Sequence, residues 1–334
     1  MSYIQLDKNA FLQNINYFSN VVGSKDKLCI ALKDNAYGHG IELMSKLSGE
    51  FGIKHCMVRN LTEANIVAKD NYESILILNE IPKEKYPANY IFSVNSLESL
   101  SDYYEGSIIE LKIDTGMSRN GILLEQIEES LEIILSNNLI LNGVFTHFCC
   151  ADEDNDITNE QEKLFLQAIK QIKESITIPF RIHCANSAGV YKVDNSLYDM
   201  ARLGIGLYGY NQSYQESLQP VLSLWADKIS TRTLNKDDAI GYGLTYKVKL
   251  ENTIVSNYDI GYGDGFFRLN ERKKAKVQNG KFILGRVSMD SFSLEGDDKE
   301  VCIFNDVRQL AKVHDTIEYE ILTHLQSHIT RTII

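Results

Sequence analysis

Several things are scarce in this 334-residue chain, and each absence removes a class of function. No apolar run approaches the roughly 18 residues that a membrane span needs, so no membrane partner is expected. Basic residues are outnumbered: 34 Lys and Arg stand against 45 Asp and Glu, a formal net charge of −11. That balance argues against nucleic acid and anionic membrane surfaces as partners. The six cysteines, Cys29, Cys56, Cys149, Cys150, Cys184 and Cys302, include no Cys-x-x-Cys pair. A zinc site is therefore not expected, nor any other metal site, and buried free thiols are. The opening residues, MSYIQLDKNAFLQN, lack the basic start and apolar core of a secretion signal, which makes the cytoplasm the expected location. No low-complexity linker and no repeat of fixed period interrupts the chain.

What is present is a series of short apolar runs. Eight recur in the first two-thirds: LCIAL (28–32), HCMV (55–58), SILIL (74–78), YIFSV (90–94), IIELKI (108–113), LNGVFTHF (141–148), FRIHCA (180–185) and ARLGIGLYG (201–209). Helical periodicity lies between several of them. Phe11, Ile15, Phe18 and Val22 mark one face; Leu164, Ala168, Ile172 and Ile176 mark another. Apolar strands alternating with amphipathic helices predict a parallel sheet. Eight such units predict an N-terminal (β/α)8 barrel of the TIM type, with a doubly wound sheet as the rival. After about Pro220 the runs become short and alternating, as in Val221, Leu222, Leu224, Ala226 and Ile229, with turn signals at Asn279-Gly280 and Gly296-Asp297. This predicts a mainly antiparallel β domain. The expected division is a barrel over 1–218 and a β domain over 219–334, with a first strand at 2–7 that can join the second domain.

The residues that can carry chemistry fall at the ends of the predicted strands. Lys33 follows the first, Lys112 closes the fifth with Arg119 in the loop beyond, and His147 ends the sixth. Asn186 and Ser187 follow the seventh, and Arg202 lies in the eighth just ahead of Gly204. Barrel active sites sit at the C-terminal ends of strands, with a phosphate site in the loops after strands seven and eight. Ser187 and the amides of Gly204 and Ile205 suit that site, because glycine lets backbone approach an anion closely. A lysine at the exit of a buried strand is poorly placed for stability. It is well placed to form a Schiff base with a carbonyl cofactor.

The string around that lysine, ALKDNAYGHG (31–40), resembles the pyridoxal-phosphate lysine segment of the alanine racemase family, and the likeness covers nearly the whole chain. KIDTGMSRNG (112–121), THF (146–148), HCANSAG (183–189) and RLGIGLYG (202–209) are similar to the family's barrel motifs. GYGLTY (241–246), IGYGDG (260–265) and GRVSMD (285–290) are similar to its second-domain motifs, in order.

The resemblance implies a pyridoxal 5'-phosphate isomerase of fold type III that interconverts L- and D-alanine and supplies D-alanine for peptidoglycan. It implies a homodimer in which the second domain of one subunit completes the other's site. By the same resemblance Lys33 and the partner copy's Tyr242 are the two acid/base groups. The cofactor ligands are Lys33, Tyr37, His147, Asn186, Ser187, Arg202, Gly204 and Ile205. Arg119 and Met289 meet the substrate, Lys112 is carbamylated, and Tyr262 lines the entrance. Arg202 would face the cofactor ring nitrogen; an arginine cannot give up its proton, so the ring would be a weaker electron sink.

The C-terminus departs from the pattern. Arg331 corresponds to the second of two family arginines, His328 falls where the first would be, and Ile333 where a tyrosine would be. A pocket wall without that hydroxyl would admit serine more readily, so a racemase of another small amino acid is the alternative reading. A pyridoxal-phosphate decarboxylase and a pyridoxal-phosphate carrier are the wider rivals. Arg202 argues against the first, and GYGLTY and GRVSMD against the second.

Overall fold

The eight apolar runs pair side by side. The structure, a computed structural model, describes residues 1–211, 218–268 and 274–334. The chain opens with β1 (Tyr3–Leu6) and α1 (Lys8–Val22). The runs then supply β2 (Leu28–Ala31), β3 (His55–Val58), β4 (Ser74–Ile77), β5 (Tyr90–Val94), β6 (Ile108–Lys112), β7 (Ile140–Phe145), β8 (Arg181–His183) and β9 (Ala201–Leu203). All eight lie in one sheet, ordered β8-β7-β6-β5-β4-β3-β2-β9, and each neighbouring pair is parallel. The first barrel strand, β2, thus pairs with both the second, β3, and the last, β9. No ladder joins β8 to β9. Two backbone bonds bridge that seam, Asp199 N to Ile182 O and Arg202 N to Ala185 O, both 2.9 Å. The result is a nearly closed parallel barrel rather than a doubly wound sheet.

Helices on the barrel follow from their apolar faces. In α1, Phe11, Ile15 and Phe18 are fully buried. After β2 comes α2 (Lys33–Tyr37), a single left-handed turn, then α3 (Ile41–Glu50), α4 (Leu61–Val67), α5 (Ile127–Ser136) and α6 (Ile157–Ser175). The face that α6 buries is Phe165, Ala168, Ile169 and Ile172. Leu164, expected on that face, is 37% exposed. The buried stripe runs at the i, i+3, i+4, i+7 spacing of a helix on a core; Ala168 and Ile172 lie on it as expected, Phe165 and Ile169 join them, and Ile176 falls just past the helix end.

The second unit is built on the long β10 (Leu222–Leu234). It continues through β11 (Ala239–Ile240), β12 (Tyr246–Lys247), β13 (Thr253–Tyr258), β14 (Phe292–Glu295) and β15 (Glu300–Phe304). Two helices, α7 (Arg308–His314) and α8 (Glu318–Thr323), precede β16 (Thr330–Ile333). Its sheet runs β14-β13-β10-β1-β16, with β15 also on β10. Every pairing is antiparallel except β1 with β16. Val221, Leu222, Leu224 and Ala226 point into its core, but Ile229 is 58% exposed. A register shift between Lys228 and Ser230 breaks the alternation there.

Compact units fall at 11–36 with 41–219 and at 1–10 with 37–40 and 220–334. The first strand, which the sequence allowed to join the second domain, falls with the second unit, and so does Tyr37–Gly40, expected in the barrel. Residues 1–10 do so because β1 is zipped between β10 and β16. Tyr37–Gly40 does so because it is stapled to the C-terminal segment. Arg331 Nε donates to Gly38 O at 3.0 Å, while its other nitrogens reach the carbonyls of Ser327, Ile329, Leu325 and Gln326. The glycines of YGHG answer to the same packing. A Cβ on Gly38 (φ +80°) would lie 2.0 Å from Leu322 O, and one on Gly40 (φ +98°) 2.8 Å from Arg331 Cδ.

Candidate active site

Lys33 leaves β2 into a backbone conformation that L-residues resist. Asp34, Asn35, Ala36 and Tyr37 all have φ between 52° and 55°, which costs about 1–2 kcal/mol per residue. The turn is held from outside. Glu63, in the first turn of α4, accepts from Asp34 N at 2.7 Å and Asn35 N at 3.4 Å through one oxygen, and from Arg59 N at 2.7 Å through the other. Asn35 Oδ1 accepts from Ile41 N at 2.9 Å. Lys33 Nζ lies 3.6 Å from Asp34 Oδ2 and its side chain is only partly covered.

Arg202 is the centre of the barrel's polar chain. It is 2% exposed, and its guanidinium sits 4.9 Å from the Phe145 ring centroid. Nη1 donates to His183 Nδ1 at 2.5 Å; Nη2 donates to Thr146 O at 2.5 Å, Cys184 O at 3.1 Å and His147 Nδ1 at 3.4 Å. A guanidinium can only donate. Both imidazoles must therefore accept at Nδ1 and carry their proton on Nε2. His183 donates that N–H to the fully buried Glu110, Nε2 to Oε2 at 2.9 Å. Asn142 supports the other oxygen of Glu110 at 3.0 Å.

The charges settle accordingly. Burial, then the Arg202 guanidinium, pushes His147 down to about 3. Burial likewise takes His183 down to about 4, against the pull of Glu110. Burial opposes ionisation of Glu110, but His183 and Arg181 hold its carboxyl below the usual range. Both histidines are thus neutral donors at neutral pH. Lys112, 8% exposed, is pushed down to about 8, first by burial and then by Arg119 and Arg202. The Lys33 charge reaches His147 as well, so neutral His147 lies within the field of four basic side chains, Arg202, Lys112, Arg119 and Lys33.

A glycine-rich turn after β9 meets the loop after β8. Ser187 Oγ accepts from Gly204 N at 3.1 Å and Gly206 N at 3.2 Å. Gly206 must be glycine, since a Cβ there would come within 2.6 Å of Phe18 and 3.0 Å of Ser187 Cβ. Ile205, between the two glycines, is 4% exposed. Asn186 is spent on its own loop: Nδ2 donates to Phe148 O at 3.3 Å, and Oδ1 accepts from Ala188 N and Gly189 N. Tyr37 ends the left-handed turn, its ring 5.8 Å from that of Tyr319. An amine, a buried permanent cation and a glycine-lined amide cradle suit a phosphorylated carbonyl compound.

The C-terminal unit gathers its three motifs. Tyr242 sits 63% exposed in the loop between β11 and β12, flanked by Gly241 (φ +72°) and Gly243 (φ +75°). A Cβ on Gly243 would be 2.9 Å from Arg286 Nη1. Tyr262 N donates to Ser288 O at 3.1 Å and Gly263 N to Met289 O at 2.8 Å. Those bonds set Tyr262, 40% exposed, beside Met289, 54% exposed. His328 Nε2 contacts Asp264 Oδ1 at 2.9 Å, and Ile333 pairs with Leu6 on the sheet edge.

Residues 6–212 match the alanine racemase N-terminal domain and residues 221–333 the alanine racemase C-terminal domain. The chain belongs to the alanine racemase family. An alanine racemase from Nitratiruptor sp. is 42% identical over 341 residues, covering 99% of each chain. One from Campylobacter concisus is 38% identical, covering 100% of both. Among solved structures, alanine racemase from Bacillus anthracis with bound L-Ala-P superposes with a TM-score of 0.89 at 26% identity, covering 100% of this chain and 95% of that one. No described helix is long and apolar enough to cross a membrane.

Three residues that carry the site were not singled out from the sequence: Glu63, Glu110 and His183. Glu110 had a visible signal. It shares a strand face with Lys112 inside the apolar run IIELKI, and an acid there requires a buried partner. Glu63 had none, because its role depends on a turn of unusual handedness in another segment.

Proposed function

We propose that this chain is an alanine racemase that interconverts L- and D-alanine with pyridoxal 5'-phosphate, as a cytoplasmic homodimer supplying D-alanine for peptidoglycan. The observation that carries the reading is the single barrel rim on which Lys33, the Arg202–His183–Glu110 chain and the Ser187/Gly204/Gly206 cradle meet. The full-length likeness to alanine racemases supports it.

Pyridoxal phosphate, when bound, supplies the electron sink that loosens the α-proton of an amino acid. Lys33 would hold it covalently. Tyr37, Ser187 and the amides of Gly204 and Ile205 would hold its phosphate, with His147, Asn186 and Arg202 around the ring. Arg202 would face the ring nitrogen as a cation that does not give up its proton. Lys33 Nζ moves the proton on one face of the substrate; the phenol of Tyr242 from the partner copy moves it on the other. A free phenol titrates near ~10, so Tyr242 needs a polar neighbour to act as a base. Neutral His147, itself fixed by Arg202, supplies one. Arg119 and the Met289 amide receive the substrate carboxylate, and Tyr262 lines the way in.

Lys112 fits carbamylation. A lysine pushed down to about 8 offers neutral amine, the form that attacks carbon dioxide; an N–C bond forms and a proton leaves. The resulting anion would hold Arg119 in place.

The test is the optical rotation of L-alanine. It decays to zero with the wild type, and persistence overturns the reading. Lys33→Ala abolishes the decay, and Tyr242→Phe slows it by about 10²- to 10⁴-fold. A second reading, a racemase of serine or another small amino acid, is favoured by Ile333 where the family tyrosine would stand. A panel of L-amino acids scored for D-product separates the two.

A further inference from the structure

The loop that leaves β7 carries a feature the reaction does not use. Cys149 and Cys150 are adjacent, and their Sγ atoms lie 3.3 Å apart. Both are partly accessible, whereas Cys29, Cys56 and Cys184 are buried. Successive side chains in extended chain point to opposite sides; this loop turns both thiols to one side. The hydrogen bond from Cys149, ahead of burial and the nearby acids Glu153 and Asp152, pushes the Cys150 thiol up to about 11. Cys150 is thus a protonated thiol at neutral pH.

The spacing selects a kind of ligand. An atom bonded to both sulfurs at about 2.3 Å, the zinc–thiolate length, would subtend roughly 90° across this gap. Tetrahedral zinc wants a wider angle and four ligands. Among the described residues no group of three or more His, Cys, Asp and Glu could hold a metal ion. Pyramidal trivalent arsenic wants an angle near 90° and needs only two sulfurs.

The pair also adjoins the site. Cys149 N donates to Gln161 Oε1 at 3.0 Å, and Gln161 Nε2 donates to His147 O at 3.3 Å and Thr115 Oγ1 at 3.2 Å. Arg202 holds Thr146 O and Asn186 holds Phe148 O. Residues 146–149 are thereby pinned peptide by peptide. Bridging the two thiols locks the Cys149–Cys150 peptide into a ring at the end of that pinned segment.

We propose that Cys149 and Cys150 form a dithiol site for trivalent arsenicals, and that its occupation displaces His147. With an arsenoxide, two S–H bonds break and two As–S bonds form. The arsenic-bound oxygen leaves as water, and arsenic stays trivalent. The binding half stands on geometry alone; the displacement half rests on the function proposed above.

Phenylarsine oxide titrated into the intact protein tests both halves. Intact mass should show one adduct per chain, removed by 2,3-dimercaptopropanol and not by an equal concentration of 2-mercaptoethanol. Cys150→Ser and Cys150→Ala should lose it, and Cys302→Ser should keep it. The adducted wild type should racemise alanine at least tenfold more slowly, while Cys150→Ser treated alike should not change. No adduct, or an adduct that survives in both Cys150 variants, overturns the site. An adducted wild type with full activity overturns the displacement. A protein that forms the adduct but never racemised alanine overturns the proposed function and leaves the site standing.

Discussion

Arg202 is a charge that cannot be switched off, so the residues behind it decide where it points. Glu110 is the only anion in contact with that chain among the described residues, linked through His183 and flanked by Arg181. Removing one member of a buried charged set leaves the others uncompensated, at about 3–5 kcal/mol. Glu110→Ala should lose that much in urea unfolding, and Glu110→Gln, which keeps an oxygen for His183 Nε2, much less; equal losses would show that shape rather than charge matters. Kept free of carbon dioxide and so uncarbamylated, Lys112 gives a pH signature. Its folded value of about 8 lies below the ordinary 10.5, so the unfolded chain binds more protons between those values and stability rises with pH across that window. In Lys112→Met the rise should vanish; a variant that keeps the slope between pH 8 and 10 assigns it to another group. Ile333 tests specificity. The alanine-to-serine ratio of kcat/KM should rise in Ile333→Tyr, and an unchanged ratio refutes the link between that position and substrate breadth.

At the scale of elements, the strands were legible and the turn was not. Each of the eight apolar runs became a barrel strand because a strand covered on both faces needs nothing but apolar residues. Lys33, Lys112 and His147 lie at or just past the ends of β2, β6 and β7, and Asn186 and Ser187 follow β8, whereas Arg119 lies in the loop well beyond β6 and Arg202 is the middle residue of β9. The reading slipped where tertiary contacts overrule local pattern: at Leu164, at Ile229 beside its bulge, and at Tyr37–Gly40. The left-handed turn of four residues has no propensity signature beyond Asp34 and Asn35, types that tolerate positive φ. It persists because Glu63, distant in sequence, accepts its amides. Gly38 exposes the same dependence. Gly38→Ala meets both a positive φ and the Leu322 carbonyl, and should cost roughly 1–3 kcal/mol from overpacking alone. Gly280→Ala, with a positive φ but nothing within 4 Å, should pay only the backbone strain of about 1–2 kcal/mol. Paired thermal melts check this, and equal shifts would remove Leu322 from the account.

For the whole molecule, the proposed dimer has a sharp consequence. Tyr242, Leu244 and Met289 are 63%, 65% and 54% exposed on the C-terminal unit, an expensive surface to leave in water. If Lys33 works with the Tyr242 of another copy, two dead variants can rescue each other. Lys33→Ala and Tyr242→Phe, unfolded together and refolded at equal amounts, should regain about a quarter of wild-type activity, because half of the dimers are mixed and each holds one intact site. No recovery, with mixed dimers confirmed by mass, would place both bases in one chain. The barrel seam carries a different lesson. A ring with one unladdered joint behaves like a split washer, and the lips of this split carry Ser187 on one side and Gly204 and Gly206 on the other. The Ser187 hydroxyl already clips the two lips together, and an anion bound there would clip them again. Deuterium should therefore enter the amides of Asp199 and Arg202 before those of β3 to β6, and slow down when phosphate is bound. The weakest joint of the scaffold and the grip on the ligand would then be a single mechanical element.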